Sequence, residues 1–295
     1  MPTPVTVVTG FLGAGKTTLV NRWLAEHERG ELAVIVNEHG AIGIDGALLA
    51  ARARTLVEIA GGCVCCTTQA ELVRALDDLA GETRILIETS GAASPSGVLH
   101  AITGAENRGT HALDGIVTVV DASRLDALAE HDLAIEQIGY ADVVVLSHLD
   151  VGDAASADRV SELNGAAVIS RPRRLEELLA ARERDLVTGV LPRPAAKHHA
   201  YESIALAAER DVDGERFADF VETEVARFAS RIFRTKGILA VHGLNERMIV
   251  QGVSDRAEIT FGAPWASAPR TSRFVVVGYG LDRDALSRAF DATLV

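Results

Sequence analysis

The chain has 295 residues, of which 48% are hydrophobic and 24% charged, and a formal net charge of −12. That composition suits a folded protein with one large core or two smaller ones, and no apolar run approaches the roughly 20 residues a membrane-spanning helix needs. The acidic balance argues against nucleic acid as a main partner, because affinity for phosphate backbones comes from basic side chains, and only Lys16, Lys197 and Lys236 are lysines.

Apolar runs predict strands over Val5–Thr9, Leu32–Asn37, Arg84–Glu88, Ile116–Asp121, Val143–Ser147 and Ala167–Ser170. Helices are expected between them over Thr17–Glu28, Gln69–Leu79, Pro95–Ala101, Ala155–Leu163 and Leu175–Arg182. The strands are rich in Val, Ile and Leu without strict alternation, as when helices cover both faces of a parallel sheet. Such β–α alternation predicts a doubly wound, mostly parallel α/β domain with ligands at the carboxyl ends of its strands. Leu191-Pro192-Arg193-Pro194 then reads as a stiff break. Beyond it, strands over Tyr201–Leu206, Ile232–Val241, Met248–Val253 and Phe274–Val277 and helices over Gly214–Phe228 and Asp282–Phe290 predict a smaller α+β domain. The boundaries drawn are 1–191, a linker over 192–198, and 199–295. The chain enters a strand straight after Pro2-Thr3-Pro4 with no signal-like segment, so a cytoplasmic location is expected.

Val5–Thr9 leads into Gly10-Phe11-Leu12-Gly13-Ala14-Gly15-Lys16-Thr17-Thr18 and then a helical stretch. This is G-x-x-x-x-G-K-T in the strand–loop–helix context of a P-loop. Glycines let successive backbone N–H groups, Ala14 and Thr18 among them, curl around phosphate oxygens, and the helix N-terminus adds partial positive charge. Lys16 is expected to reach the β- and γ-phosphates and the Thr17 hydroxyl to hold magnesium. Downstream, Ile85-Leu86-Ile87-Glu88-Thr89-Ser90-Gly91 is a hydrophobic strand ending in an acid. Glu88 is expected to hold a magnesium-bound water or to position the attacking one. Gly91 is expected to offer its N–H to the γ-phosphate.

The three cysteines share one tetrapeptide, Cys63-Val64-Cys65-Cys66. They cannot staple distant parts of the chain, and clustered thiols of this kind read as metal-binding or redox-active. Thiolates suit zinc and related transition metals. Three thiols in four residues cannot wrap a tetrahedral ion, so either an outside ligand completes the shell or only two thiols bind. Asn37-Glu38-His39-Gly40 supplies the candidates Glu38 and His39.

G-F-L-G-A-G-K-T-T, the V-N-E-x-G-x-I-G-I-D of Val36 to Asp45, the G-C-V-C-C of Gly62 to Cys66 and I-E-T-S-G follow one another in this order. Together they resemble the CobW-type family of metallochaperone GTPases, relatives of the hydrogenase and urease nickel-insertion GTPases. The resemblance continues through Arg234–Gly237, Gln251–Val253 and Phe274–Asp282, so it spans almost the whole chain. It implies a GTPase, with GTP and magnesium as cofactors, that binds zinc or cobalt at C-x-C-C and passes it to a client metalloprotein under nucleotide control. Self-association as a homodimer is a further expectation; a membrane is not an expected partner.

Two departures from the family pattern bear on function. Guanine-specific GTPases carry N-K-x-D after a strand, whereas this chain has Ser147-His148-Leu149-Asp150. Asp150 can still accept from guanine N1–H and the 2-amino group, Ser147 is shorter than asparagine, and the His148 ring can replace the lysine stem against the base. Ala41 stands where relatives carry glutamate and cannot ligate, while His39 can. Two competing functions remain in view: a metal sensor or store with incidental turnover, and an NTPase of relaxed base specificity. A metabolic kinase is disfavoured by C-x-C-C.

Overall fold

The computed structural model describes residues 2–28, 31–38, 55–60, 66–103, 109–149, 153–165, 167–188, 202–253 and 256–295. They fall into two units, Met1–Ala157 with Val168–Arg182, and Asp158–Ala167 with Glu183–Val295. The Leu191–Pro194 break lies outside the described residues.

The first unit is built on β1 (Thr3–Thr9), β2 (Ala33–Glu38), β3 (Leu56–Ala60), β4 (Ile85–Thr89), β5 (His111–Asp121), β6 (Val143–Ser147) and β7 (Val168–Ser170). Their spatial order is β3-β2-β4-β1-β5-β6-β7, and every pairing is parallel. Along β4 every residue is buried, which explains why its sequence is apolar without alternation. Its helices are α1 (Lys16–Glu26), α2 (Cys66–Asp78), α3 (Ser96–Thr103), α4 (Leu125–Leu128) and α5 (Asp132–Tyr140), while α6 (Asp153–Leu163) and α7 (Leu175–Thr188) begin in this unit and end in residues of the second.

Helix α1 buries the stripe Leu19, Val20, Trp23 and Leu24, which packs with Val8, Val34 and Val117 of the sheet and with Leu175 and Leu178 of α7. The i, i+1, i+4, i+5 spacing is one helical face. Trp23 is fully buried, and its indole N–H donates to the Arg173 carbonyl at 2.8 Å, so the large ring is sunk without stranding its polar atom. This packing fixes the start of α1 at the carboxyl end of β1, between β4 and β5.

The second unit is an antiparallel sheet of β8 (Glu202–Ala208), β9 (Ile232–Ala240), β10 (Glu246–Val253), β11 (Arg256–Pro264) and β12 (Ser272–Gly278), in the order β11-β10-β9-β12-β8. Helices α8 (Gly214–Phe220) and α9 (Arg283–Asp291) bury Phe217, Phe220 and Phe290 around Phe274 of β12. Phe217 and Phe274 meet edge to face with centroids 5.4 Å apart. Asp213 and Asp282 cap the two helices through their carboxylates.

The α/β class with a following α+β unit is the one the apolar alternation predicts. The differences are local. Gly214–Phe228, expected as one helix, is α-helical only to Phe220 and continues as a π turn over Val221–Val225 and a 3-10 stretch over Ala226–Arg231. Strands β3 and β11 and helices α4 and α5 have no counterpart among the expected elements.

Candidate functional site

Strand β1 ends at Thr9, and the chain turns through Gly10 at φ 140°, Gly13 at 76° and Gly15 at 98°. A Cβ at Gly10 would lie 2.2 Å from the Val119 carbonyl oxygen, so only glycine lets the loop pass β5 this closely. Gly15 precedes α1 without any side-chain cap, which leaves the first N–H groups of the helix to an anion. Ala14 is buried within the loop, whereas Thr18 is exposed beyond it.

Lys16 is 9% exposed and its ammonium donates to the carbonyls of Gly10 at 2.9 Å and Phe11 at 3.3 Å, so it lies folded over the loop. The Thr17 hydroxyl donates to Glu88 Oε1 at 2.6 Å. Glu88 is buried near the end of β4, beside β1 through the Val8↔Glu88 register. Beneath this pair, Thr89 Oγ1 donates to Thr9 Oγ1 at 2.9 Å, with both residues buried. One hydroxyl and one carboxylate oxygen at hydrogen-bond distance form the kind of hard donor pair magnesium takes. Gly91 follows two residues later. A Cβ there would sit 2.8 Å from the Leu12 nitrogen and 2.9 Å from Lys16 Nζ, so the loop after β4 lies directly on the phosphate loop. The expected phosphate-site residues are therefore gathered in one place.

A cavity of about 420 Å³ opens beside the start of α1, bounded by Thr18, Leu19, Arg22, Val145, His148 and Pro172. Its size suits a nucleobase and its ribose. Ser147, at the end of β6, donates to the Ala14 carbonyl at 2.8 Å, so the shorter side chain does tie the base loop to the phosphate loop. His148 follows with φ 54°, the left-handed region that non-glycine residues seldom use. Its Nδ1 stands 3.0 Å from Ser147 Oγ and 3.6 Å from Asp121 Oδ1. Asp121 is the end of β5, where it also accepts from Ser123. Asp150 lies outside the described residues.

The metal candidates are described only in part. Cys63, Cys65 and His39 lie outside the described residues, as do the side chains of Glu38 and Cys66. What is described is the frame that brackets them. Strand β2 ends at Glu38, in register with Ala60, the last residue of β3, and α2 begins at Cys66. One register further across the sheet, Val36 of β2 pairs with Glu88.

Sequence reasoning passed over α5. Its Gln137 is 1% exposed and its side-chain amide donates to the Ala93 carbonyl at 3.1 Å; the neighbouring Glu136 accepts from Ser94 Oγ at 2.6 Å. The available signal was a glutamine set between Ile135 and Ile138, a polar residue inside an apolar helical stripe.

Comparison with known proteins accords with this geometry. Residues 4–171 match the CobW/HypB/UreG nucleotide-binding domain, and residues 201–294 match the cobalamin synthesis protein cobW C-terminal domain. The chain belongs to the CobW family. Among curated CobW-family proteins, it is 33% identical to the zinc chaperone CobW of Pseudomonas aeruginosa, across 99% of this chain and 91% of that protein. It is 30% identical to the zinc chaperone YjiA of Escherichia coli, across 98% of each. The crystal structure of the Zn(II)-bound YjiA GTPase from E. coli matches over all of both chains, with a TM-score of 0.74 at 25% identity.

Proposed function

We propose that this chain is a GTP-hydrolysing metallochaperone, which takes up a transition metal at Cys63-Val64-Cys65-Cys66 and releases it to a client protein under nucleotide control. Zinc is the first candidate cargo and cobalt the second. The zinc chaperones CobW and YjiA, each at least 30% identical over nearly the whole chain, support zinc.

The observation that carries the proposal is a continuous line of register along one edge of the sheet. Glu88, hydrogen-bonded to Thr17 of the phosphate loop, pairs with Val36 on β2. Two residues on, Glu38 pairs with Ala60 at the end of the strand that leads to the cysteine segment. A shift at the nucleotide end therefore has a short route along paired strands to Glu38 and to the strand that precedes the cysteine segment.

In this proposal Gly10, Gly13, Ala14, Gly15 and Thr18 cradle the phosphates through backbone N–H groups, and Lys16 turns from the Gly10 carbonyl to the β- and γ-oxygens. Thr17 and Glu88 would hold magnesium, which would supply positive charge beside the transferring phosphoryl group. Gly91 offers its N–H to the γ-phosphate. Ser147, His148 and Asp150 face the base. Cys63, Cys65 and Cys66 bind the cargo, with Glu38 or His39 completing the shell. A shell that is not closed by four fixed thiolates leaves the ion a way out.

A second proposal concerns the base. Ser147 Oγ lies 2.8 Å from the Ala14 carbonyl, 3.3 Å from the Val120 carbonyl and 3.0 Å from His148 Nδ1, so its one proton is engaged within the protein and this side chain has no donor left for a purine ring acceptor. Purine ring acceptors are common to guanine and adenine, so the missing donor bears on affinity, and discrimination between guanine and other bases falls on Asp150.

The test is GTP turnover with and without zinc, cobalt and nickel, repeated with the Cys63→Ala/Cys65→Ala/Cys66→Ala variant. Metal-dependent turnover that disappears in the triple variant supports the proposal. Turnover indifferent to all three metals leaves a metal store with incidental hydrolysis.

A further inference from the structure

Helix α5 (Asp132–Tyr140) is tied to the nucleotide site at two points. Just before its first turn, the His131 ring stacks on Phe11 of the phosphate loop, with centroids 5.3 Å apart and planes 15° from parallel. Farther along, Gln137 Nε2 donates to the Ala93 carbonyl at 3.1 Å and approaches the Gly91 carbonyl at 3.5 Å. Glu136 accepts from Ser94 on the same loop at 2.6 Å. The helix is itself pinned to β5, because Thr118 Oγ1 donates to the Gln137 backbone carbonyl at 2.7 Å.

The Gln137 side chain is almost fully buried, yet its Oε1 has no hydrogen-bond partner among the described residues. Burying an amide with its acceptor unsatisfied is unfavourable, and an apolar side chain of similar volume would avoid that cost. What the amide supplies here is its donor end, directed at two carbonyls of the Gly91–Ala93 turn. The turn cannot drift toward the phosphate loop, because Leu12 and Lys16 already occupy the space a Gly91 Cβ would take. Drift in other directions is restrained by the Gln137 amide, on a helix whose preceding residue His131 stacks on Phe11 of the phosphate loop.

We propose that Gln137 is a positioning residue for γ-phosphate recognition. Its amide holds the Gly91–Ala93 turn against the phosphate loop, so that the Gly91 N–H is in place for a terminal phosphate. Residue 137 touches no phosphate itself and acts through Gly91. The inference rests on the proposed role of Gly91.

The experiment compares the affinities of magnesium-bound GDP and a non-hydrolysable GTP analogue for the full chain and for Gln137→Met, which keeps the bulk and removes the donor. The expected result is about tenfold weaker binding of the GTP analogue, with GDP affinity changed by less than about twofold. A merely structural role would weaken both nucleotides together. If Gln137→Met does not fold, Gln137→Asn replaces it, since the shorter stem keeps a polar amide but withdraws the donor from Ala93; the same GTP-selective loss is then required. Equal losses for the two nucleotides, or none, overturn the inference about Gln137. A wild-type chain that binds the GTP analogue no differently from GDP overturns the role of Gly91 and the inference with it.

Discussion

Thr17 and Glu88, separated by 71 positions in the chain, share a 2.6 Å hydrogen bond at the carboxyl edge of the parallel sheet. That bond joins the two segments any phosphate-binding site of this kind must bring together. Glu88→Gln keeps the shape and removes the charge. GTP turnover is expected to fall by about 100- to 1,000-fold, the scale of losing one electrostatic group at a reacting centre. Nucleotide binding measured with EDTA present should change by less than about threefold, because the phosphate cradle is backbone. Steady-state turnover and fluorescence titration check the two halves.

Gly91→Ala tests the contact between the two loops. The added methyl would lie 2.8 Å from the Leu12 nitrogen and 2.9 Å from its Cα, so backbone must move. Overpacking of this kind costs about 1–3 kcal/mol. Nucleotide affinity should drop by about tenfold or more, with the protein still folded by circular dichroism.

Ser147→Ala removes the tie from the base loop to the Ala14 carbonyl. Losing one part-buried hydrogen bond costs about 1 kcal/mol, so GDP should bind roughly fivefold more weakly. Because the serine proton is directed at the protein and not the base, GDP and IDP should weaken by the same factor. Parallel titrations of the two nucleotides decide this.

Stability should depend on pH through His111, at the start of β5. Burial holds its pKa below the ordinary value of 6.5, against the opposing pull of the Asp77 carboxylate and the Leu76 carbonyl. The native state therefore resists protonation that the unfolded chain accepts, and the unfolded chain binds more protons in that window. Above about 6.5 both states are neutral and His111 contributes no pH dependence; as pH falls from there toward the depressed native pKa, stability declines. Urea unfolding at pH 7.5, 6.5 and 5.5 should show this decline, and His111→Gln should flatten it.

The parts legible in the sequence are those where local pattern and tertiary role agree. Strand Val143–Ser147 has the bounds its apolar run predicts, because β6 is buried along most of its length and ends where the polar loop begins. The phosphate loop is legible for a different reason: glycine at φ 76° and 98° and the fold of Lys16 over the loop are local consequences of a few residues. Strand β11 is different. Ile259 and Phe261 on it are exposed, and its strand character comes from pairing with β10. Helix α5 is short, carries Gly139 inside it, and is stabilised by contacts to Thr118 and the Gly91 loop. In elements this short the periodic signal is weak beside the contacts that neighbouring segments supply. The same holds for Ser147, whose reach to Ala14 depends on how β6 lies beside the phosphate loop.

The central claim is that nucleotide state and metal affinity are linked. It is tested most directly by titrating zinc into the chain in its nucleotide-free, GDP-bound and GTP-analogue-bound forms, against a competing chromophoric chelator. The account predicts dissociation constants that differ by about fivefold or more between the GDP and GTP-analogue forms, with the reciprocal change in nucleotide affinity when zinc is present. It also predicts that the difference vanishes in the Cys63→Ala/Cys65→Ala/Cys66→Ala variant. One zinc affinity common to all three forms of the wild-type chain would contradict it.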